Sequence, residues 1–204
     1  MFKRLMFCAL LAAGPAAATR EYMLPTLFDV EGVAADDVLN IRARPDASAE
    51  IIGTFAPDAT GIEIVASEGN WGQVNTGESA GWVSMRYLRY RTDVWTEGAL
   101  PDGFRCGGTE PFWSLEPRDE GLIWWTPEGE TMFDTLEVLD SGVFRSPRRA
   151  LMGSGEGGEI WASVTDKQCS DGMSDRRYGL EASVILQGET SQLYTGCCQI
   201  TPAN

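Results

Sequence analysis

Between Leu39 and Leu88 the apolar residues come in short runs: Leu39/Ile41, Ile51/Ile52/Phe55, Ile62/Ile64/Val65, Trp71/Val74 and Trp82/Val83. Pro, Gly, Asp and Asn divide these runs about every eight to ten residues, a spacing that predicts short strands closing into a small antiparallel β-barrel. Further along, Phe112–Glu116, Leu122–Thr126, Met132–Val138, Ile160–Thr165, Tyr178–Leu186 and Gln192–Cys198 read as strands separated by Pro, Gly and acidic turns. The clearest is Tyr178–Leu186. Tyr178, Leu180, Ala182, Val184 and Leu186 share one face, while Gly179, Glu181, Ser183 and Gln187 share the other, with Ile185 the only large apolar residue among them. That alternation marks a half-buried strand. Leu122-Ile123-Trp124-Trp125 is apolar on both faces and predicts a central or covered strand. The glycine-rich patch Gly153–Gly158 reads as a loop. No period of 3.6 runs through the chain beyond its N-terminal segment. The fold class predicted is all-β, with a barrel over residues 26–91 and a second antiparallel domain over 104–204. Residues 92–103 form the linker, within the polar, Pro- and Gly-containing stretch Arg89–Gly103, short enough to keep the domains close.

The N-terminus changes the expected compartment. Lys3 and Arg4, the apolar run Leu5–Leu11 and the small residues Ala16-Ala17-Ala18 predict a signal peptide over residues 1–18. The mature chain is then periplasmic or secreted, and no segment is long and apolar enough for a membrane span. Cys8 lies inside the apolar run and not after a lipoprotein-type stop.

Four cysteines remain, Cys106, Cys169, Cys197 and Cys198. An even number in an exported chain predicts two disulfides. If Cys197 and Cys198 lie on a strand they point to opposite faces and reach separate partners, Cys106 and Cys169. Which goes with which is open at this point, and a strained vicinal bridge, switchable by redox, is the alternative. No Cys-x-x-Cys spacing supports a zinc site. The formal charge of −14 disfavours nucleic acid and anionic surfaces and favours cationic partners. The absence of histidine removes Ser-His-Asp and Cys-His catalysis and His-ligated zinc. Lys167 is the one lysine left after processing. No metal or cofactor is expected.

Leu39-Asn40-Ile41-Arg42, Pro45, Ile52-Gly53, Gly69-Asn70-Trp71, Val74, Gly81-Trp82-Val83 and Tyr87-Leu88 resemble the bacterial SH3-like (SH3b) domain. The resemblance implies a small barrel that holds a ligand, with a cell-wall peptide as the default. In the second half, Cys106-Gly107-Gly108-Thr109-Glu110-Pro111-Phe112-Trp113, Cys169-Ser170-Asp171-Gly172-Met173-Ser174-Asp175-Arg176 and Gly196-Cys197-Cys198 resemble an exported bacterial domain, found in lipoproteins too, without an assigned activity. That resemblance implies location and an all-β fold, and no function.

Two sets of residues are candidates for chemistry. Trp71, Trp82, Tyr87 and Tyr90 line a shallow aromatic groove on one reading, with Arg42 and Arg44 recognising a carboxylate. On the other reading the tryptophans are core, which is favoured for Trp82 because Val83 follows it directly in a strand. Glu110, Asp171 and Asp175 converge beside Trp113 if the cysteine blocks are stapled together. They would then hold Ca²⁺ or act as an acid/base pair on a glycan. Against this, Asp171-Gly172 is an ordinary turn and Asp175-Arg176 a local ion pair. Trp113, Trp124, Trp125 and Trp161 form either a core or a carbohydrate platform with one or two indoles exposed. The function expected is a non-enzymatic binding or adaptor protein of the cell envelope, whose SH3-like domain engages a peptidoglycan peptide or an envelope protein. The alternatives are an acidic inhibitor or sensor directed at a cationic, lysozyme-like protein, and a carboxylate-based wall hydrolase. Oligomeric state is not legible.

Overall fold

The computed structural model describes residues 22–119 and 121–201; the expected signal peptide lies outside them. Eight short strands build the first unit: β1 (Thr26–Val30), β2 (Leu39–Arg42), β3 (Ile51–Phe55), β4 (Ile62–Ile64), β5 (Ala66–Glu68), β6 (Trp71–Thr76), β7 (Ser79–Ser84) and β8 (Leu88–Tyr90). A single 3₁₀ turn, Met85–Tyr87, precedes β8. The strands form two antiparallel sheets, β4-β1-β8 and β3-β2-β7-β6-β5. They join where Val65 N donates to Gln73 O at 3.0 Å. Inward positions fill the barrel with Phe28, Leu39, Ile41, Ile64, Val74 and Val83.

Nine strands form the second unit: β9 (Arg105–Thr109), β10 (Phe112–Arg118), β11 (Gly121–Thr126), β12 (Gly129–Phe133), β13 (Glu137–Asp140), β14 (Arg149–Gly155), β15 (Gly158–Cys169), β16 (Tyr178–Gln187) and β17 (Ser191–Gln199). They make one antiparallel sheet in the order β12-β11-β10-β9-β17-β16-β15-β14-β13. The sheet curls over its core, and Asp134 N donates to Ser154 O at 2.8 Å where the segment after β12 meets β14. The all-β, antiparallel expectation is therefore met.

Two disulfides staple this sheet, Cys106–Cys198 and Cys169–Cys197. Cys197 and Cys198 lie together on β17, so their side chains leave opposite faces. The strand geometry sends each to a distant partner and excludes a vicinal bridge.

Three details differ from the pattern reading. The run Met132–Val138 is two strands, since β12 ends at Phe133 and β13 begins at Glu137. The glycine-rich patch is mostly strand, because Gly153 and Gly155 belong to β14 and Gly158 opens β15. A Cβ at Gly155 would come within 2.8 Å of Met132 O, so this crossing needs glycine for closeness and not for flexibility. Finally, the stretch Arg89–Gly103 is not simply polar: Val94 and Trp95 are buried in the core of the second unit. Burying side chains of this size contributes roughly 1.5–3 kcal/mol each, which holds the connecting segment against the sheet.

The two units are docked as well as linked. Trp95 Nε1 donates to Pro25 O at 2.8 Å, and Leu27 of β1 packs on the second core while its neighbour Phe28 fills the barrel. Asn75 pairs with the backbone of Arg177 in both directions, at 2.8 and 2.9 Å. Pro25 lies flat on Gly179 of β16, where a Cβ would meet three Pro25 ring atoms at 2.9–3.0 Å. Gly179→Ala is expected to overpack this contact by about 1–3 kcal/mol. The check is limited proteolysis, with faster cleavage within residues 91–103; an unchanged cleavage rate would count against the contact.

Among the described residues no helix is long and apolar enough to cross a membrane.

Candidate functional site

The outer face of the five-stranded sheet is set by two paired choices in the sequence. Trp71 is followed by Gly72, and Trp82 is preceded by Gly81. Both glycines point into the barrel, where a Cβ would reach Met85 Sδ or Ile41 Cγ2 at 2.5 Å. The interior tolerates no side chain there, so each indole next to a glycine points outward. Trp71 and Trp82 are accordingly half-buried on the outside. The favoured core reading of Trp82 is overturned: Val83 takes the inward position, and adjacent strand residues cannot share a face.

Register places these side chains together. Trp82 lies opposite Arg42 on β2 and Gln73 on β6, and Gln73 lies opposite Ala66 on β5. Trp71 sits one pleat away on the same face, between Glu68 and Ser84. Arg42 Nη1 donates to Ala49 O at 2.7 Å, fixing the guanidinium over the β2–β3 loop beside Trp82. The surface so built has two aromatic faces and a cation on a rigid sheet. Tyr87 and Tyr90 do not join it. Both pack against the barrel core, and Tyr90 rests on Phe28 with ring centroids 5.4 Å apart.

The blocks of the second set meet, since Thr109 Oγ1 donates to Asp171 O at 2.7 Å, but their carboxylates do not gather as a metal site. Glu110 is exposed in the turn between β9 and β10. Trp113 is 3% exposed and stacks on Trp124 at 4.9 Å, inside the sheet's core. Asp171 is tied into its own loop: Oδ1 accepts from Met173 N and Ser174 N, and Oδ2 from Ser174 Oγ and Tyr178 OH. Burial pushes its pKa up, but these hydrogen bonds outweigh it and hold the carboxyl below the ordinary range. Asp175 is exposed, and its N–H donates to Glu78 O of the first unit. Among the described residues no three acidic or thiol groups gather as a metal site. The convergence of Glu110, Asp171 and Asp175 beside Trp113 is thus not found, because Asp171 is consumed by turn formation and Trp113 by packing. Of the four tryptophans, Trp125 and Trp161 are exposed, at 41% and 43%.

Arg176 has a different setting. Its guanidinium lies over the Tyr178 ring, and Nη2 donates to Gln199 Oε1 at 3.2 Å. It lines an open cleft of about 990 Å³ between the two units, together with Glu63, Asn75, Arg91, Arg105 and Gln199. Glu63 was not singled out by its sequence context. It sits between Ile62 and Ile64 on a strand, which reads as a solvent-facing position, yet the second unit covers that face. Glu63 Oε2 accepts from Ile200 N at 3.2 Å and Thr201 Oγ1 at 3.1 Å. Burial raises its pKa to about 7, partly offset by the Ile200 N–H, the Thr201 hydroxyl and the charge of Arg176.

Comparison with known families decides part of the picture. Residues 37–89 match the family described as Bacterial SH3 domain. The matched span carries both outward tryptophans and Arg42, begins after β1, and stops short of the cysteine blocks. In the fold, β1 completes this SH3 domain by pairing with β4 on one side and β8 on the other. No curated protein and no solved structure gives a match to the chain.

Proposed function

We propose that the chain is an exported, non-enzymatic binding protein of the cell envelope whose SH3 domain holds a cell-wall peptide or an envelope protein. The observation that supports this most is the outer face on which Trp71, Trp82 and Arg42 stand together within the matched SH3 segment. Aromatic faces stack on sugars and peptide planes, and a fixed guanidinium recognises carboxylate. Export rests on the Lys3/Arg4 segment and fits the two disulfides. Co-sedimentation with purified peptidoglycan is the test. The protein is expected in the pellet, and Trp71→Ala/Trp82→Ala is expected to lower the affinity about thirtyfold, as loss of two stacking contacts of about 1 kcal/mol each implies. Its melting temperature should move little, since neither indole is core. A wild-type protein that stays in the supernatant would sink the wall reading.

A second reading, an acidic module that docks on a cationic protein, has one observation in its favour. Met152, Trp161, Ile185 and Leu193 face one another across β14, β15, β16 and β17, and the last three are 43–67% exposed. Glu137 and Glu159 flank this apolar row. Binding to lysozyme that weakens with salt would support this reading. A carboxylate hydrolase is disfavoured by the engagement of Asp171 in its own loop.

A further inference from the structure

The interdomain cleft carries two polar atoms that folding leaves unpaired. Glu63 Oε1, from the SH3 unit, and Arg176 Nε, from the loop before β16, are buried without a hydrogen-bond partner. Their other atoms are engaged, Glu63 Oε2 by the Ile200 N–H and Thr201 hydroxyl, and Arg176 Nη2 by Gln199 Oε1. A buried polar atom left unpaired costs about 1–3 kcal/mol, and more when charged. Here one unpaired atom is an acceptor and the other a donor, both residues line the same cleft, and each comes from a different domain. A single ligand that presents a donor to the carboxylate and an acceptor to the guanidinium satisfies both at once.

We infer that this cleft binds the zwitterionic end of an amino acid or short peptide, with the ammonium on Glu63 and the carboxylate on Arg176. Mixed charge in the lining fits such a head. Arg105 supplies a second cation on the same wall, while Arg91 is paired with Asp93 at 3.1 Å. Neither unpaired atom touches solvent, so binding requires the two side chains to turn towards the entering head group. Because the two partners belong to two domains, an occupied cleft also ties the domains together, which adds to the docking made by Asn75 and Trp95. The inference rests on the proposed reading of the chain as an envelope binding protein, but it places a ligand on a surface separate from the Trp71/Trp82 face.

The test is calorimetric titration of the purified protein at about pH 8.5, where Glu63 is ionised, with D-alanyl-D-alanine and meso-diaminopimelate. N-acetylated and C-amidated forms of each serve as probes lacking one charge. Binding in the millimolar range or tighter is expected for the zwitterions, with a loss of about tenfold or more when either end is masked. Arg176→Gln and Glu63→Gln should each lower affinity to a similar degree, while Trp125→Ala, at an exposed indole of the second sheet, should leave it unchanged. Absence of heat with every zwitterion, or affinity indifferent to masking, overturns the proposal. The masking arm uses only wild-type protein, so it decides even if a cleft variant fails to fold. Sacculus binding without zwitterion binding refutes the cleft alone. Zwitterion binding without sacculus binding refutes the outer-face reading and leaves the cleft standing.

Discussion

Removing the Cys106–Cys198 bridge is expected to destabilise the second domain by about 4–5 kcal/mol on the chain-entropy account. In its sheet, every neighbouring pair of strands is consecutive in sequence except β9 and β17. That junction is the seam where hairpins β9–β12 meet the meander β13–β17. It is held by few register pairs, Cys197 with Gly107, Cys198 with Cys106, and Gln199 with Arg105. The disulfide sits on the seam and closes a sequence separation of 92 residues, so it removes the largest loop entropy from the unfolded chain. Cys169–Cys197 spans 28 residues, for which the same relation gives about 3–4 kcal/mol. The smaller loop lies within the larger, so the two values do not add. Urea unfolding of Cys106→Ala/Cys198→Ala and Cys169→Ala/Cys197→Ala under oxidising conditions gives the comparison. The seam variant should lose more; an equal or smaller loss would remove the seam argument. With domain stabilities commonly near 5–15 kcal/mol, the seam variant stands close to unfolding.

What the pattern of residues revealed, and what it concealed, follows from which surfaces are local. Tyr178–Leu186 alternates cleanly because β16 has one face on the core and one in water, with Leu180, Ala182 and Val184 fully buried. The adjacent cysteines were equally legible, since strand parity alone separates Cys197 from Cys198. The same parity applied to Gly81-Trp82-Val83 would have put Trp82 outside, a signal present in the sequence and outweighed by the assumption that so large a side chain belongs in the core. Val94, Trp95 and Glu63 were harder. Each answers to the other domain: the first two pack on a sheet that begins ten residues later, and Glu63 faces residues 200 and 201. No local periodicity encodes a contact across that distance. The carboxylates Glu110, Asp171 and Asp175 looked like a cluster because their blocks are joined through disulfide-bearing strands. Yet the turn-forming power of Asp171-Gly172 decided its carboxylate's partners before any ligand could.

Stability is expected to fall as pH rises from about 4.5 to about 7, and Glu63 is the reason. The carboxyl is 9% exposed, and burial raises its pKa from 4.5 to about 7. Between those values the folded chain holds a proton that the unfolded chain has released. Folding is therefore favoured most below pH 4.5, and the advantage is lost as pH passes through the folded value. A change of this size corresponds to about 3 kcal/mol. Arg176 faces the group and restrains the shift, while Asp93 in the same cleft is held low chiefly by its hydrogen bond from Arg91. Asp171 is also lowered, so its contribution has the opposite sign and is lost only below the ordinary Asp range. The two windows do not overlap. Denaturant midpoints measured from pH 4.5 to 8.5 should decline and then level off, and Glu63→Gln, which keeps an oxygen for the Ile200 N–H and Thr201 hydroxyl, should flatten the decline. If the variant keeps the full slope, Glu63 is not the titrating group. If wild type shows no slope, the carboxyl is better compensated than its hydrogen bonds indicate. Because Glu63 belongs to the SH3 domain and its partners to the C-terminal end of the second, the energy lost at higher pH is energy of docking. The connecting segment should then become more open to proteolysis above pH 7 in wild type, and much less so in Glu63→Gln.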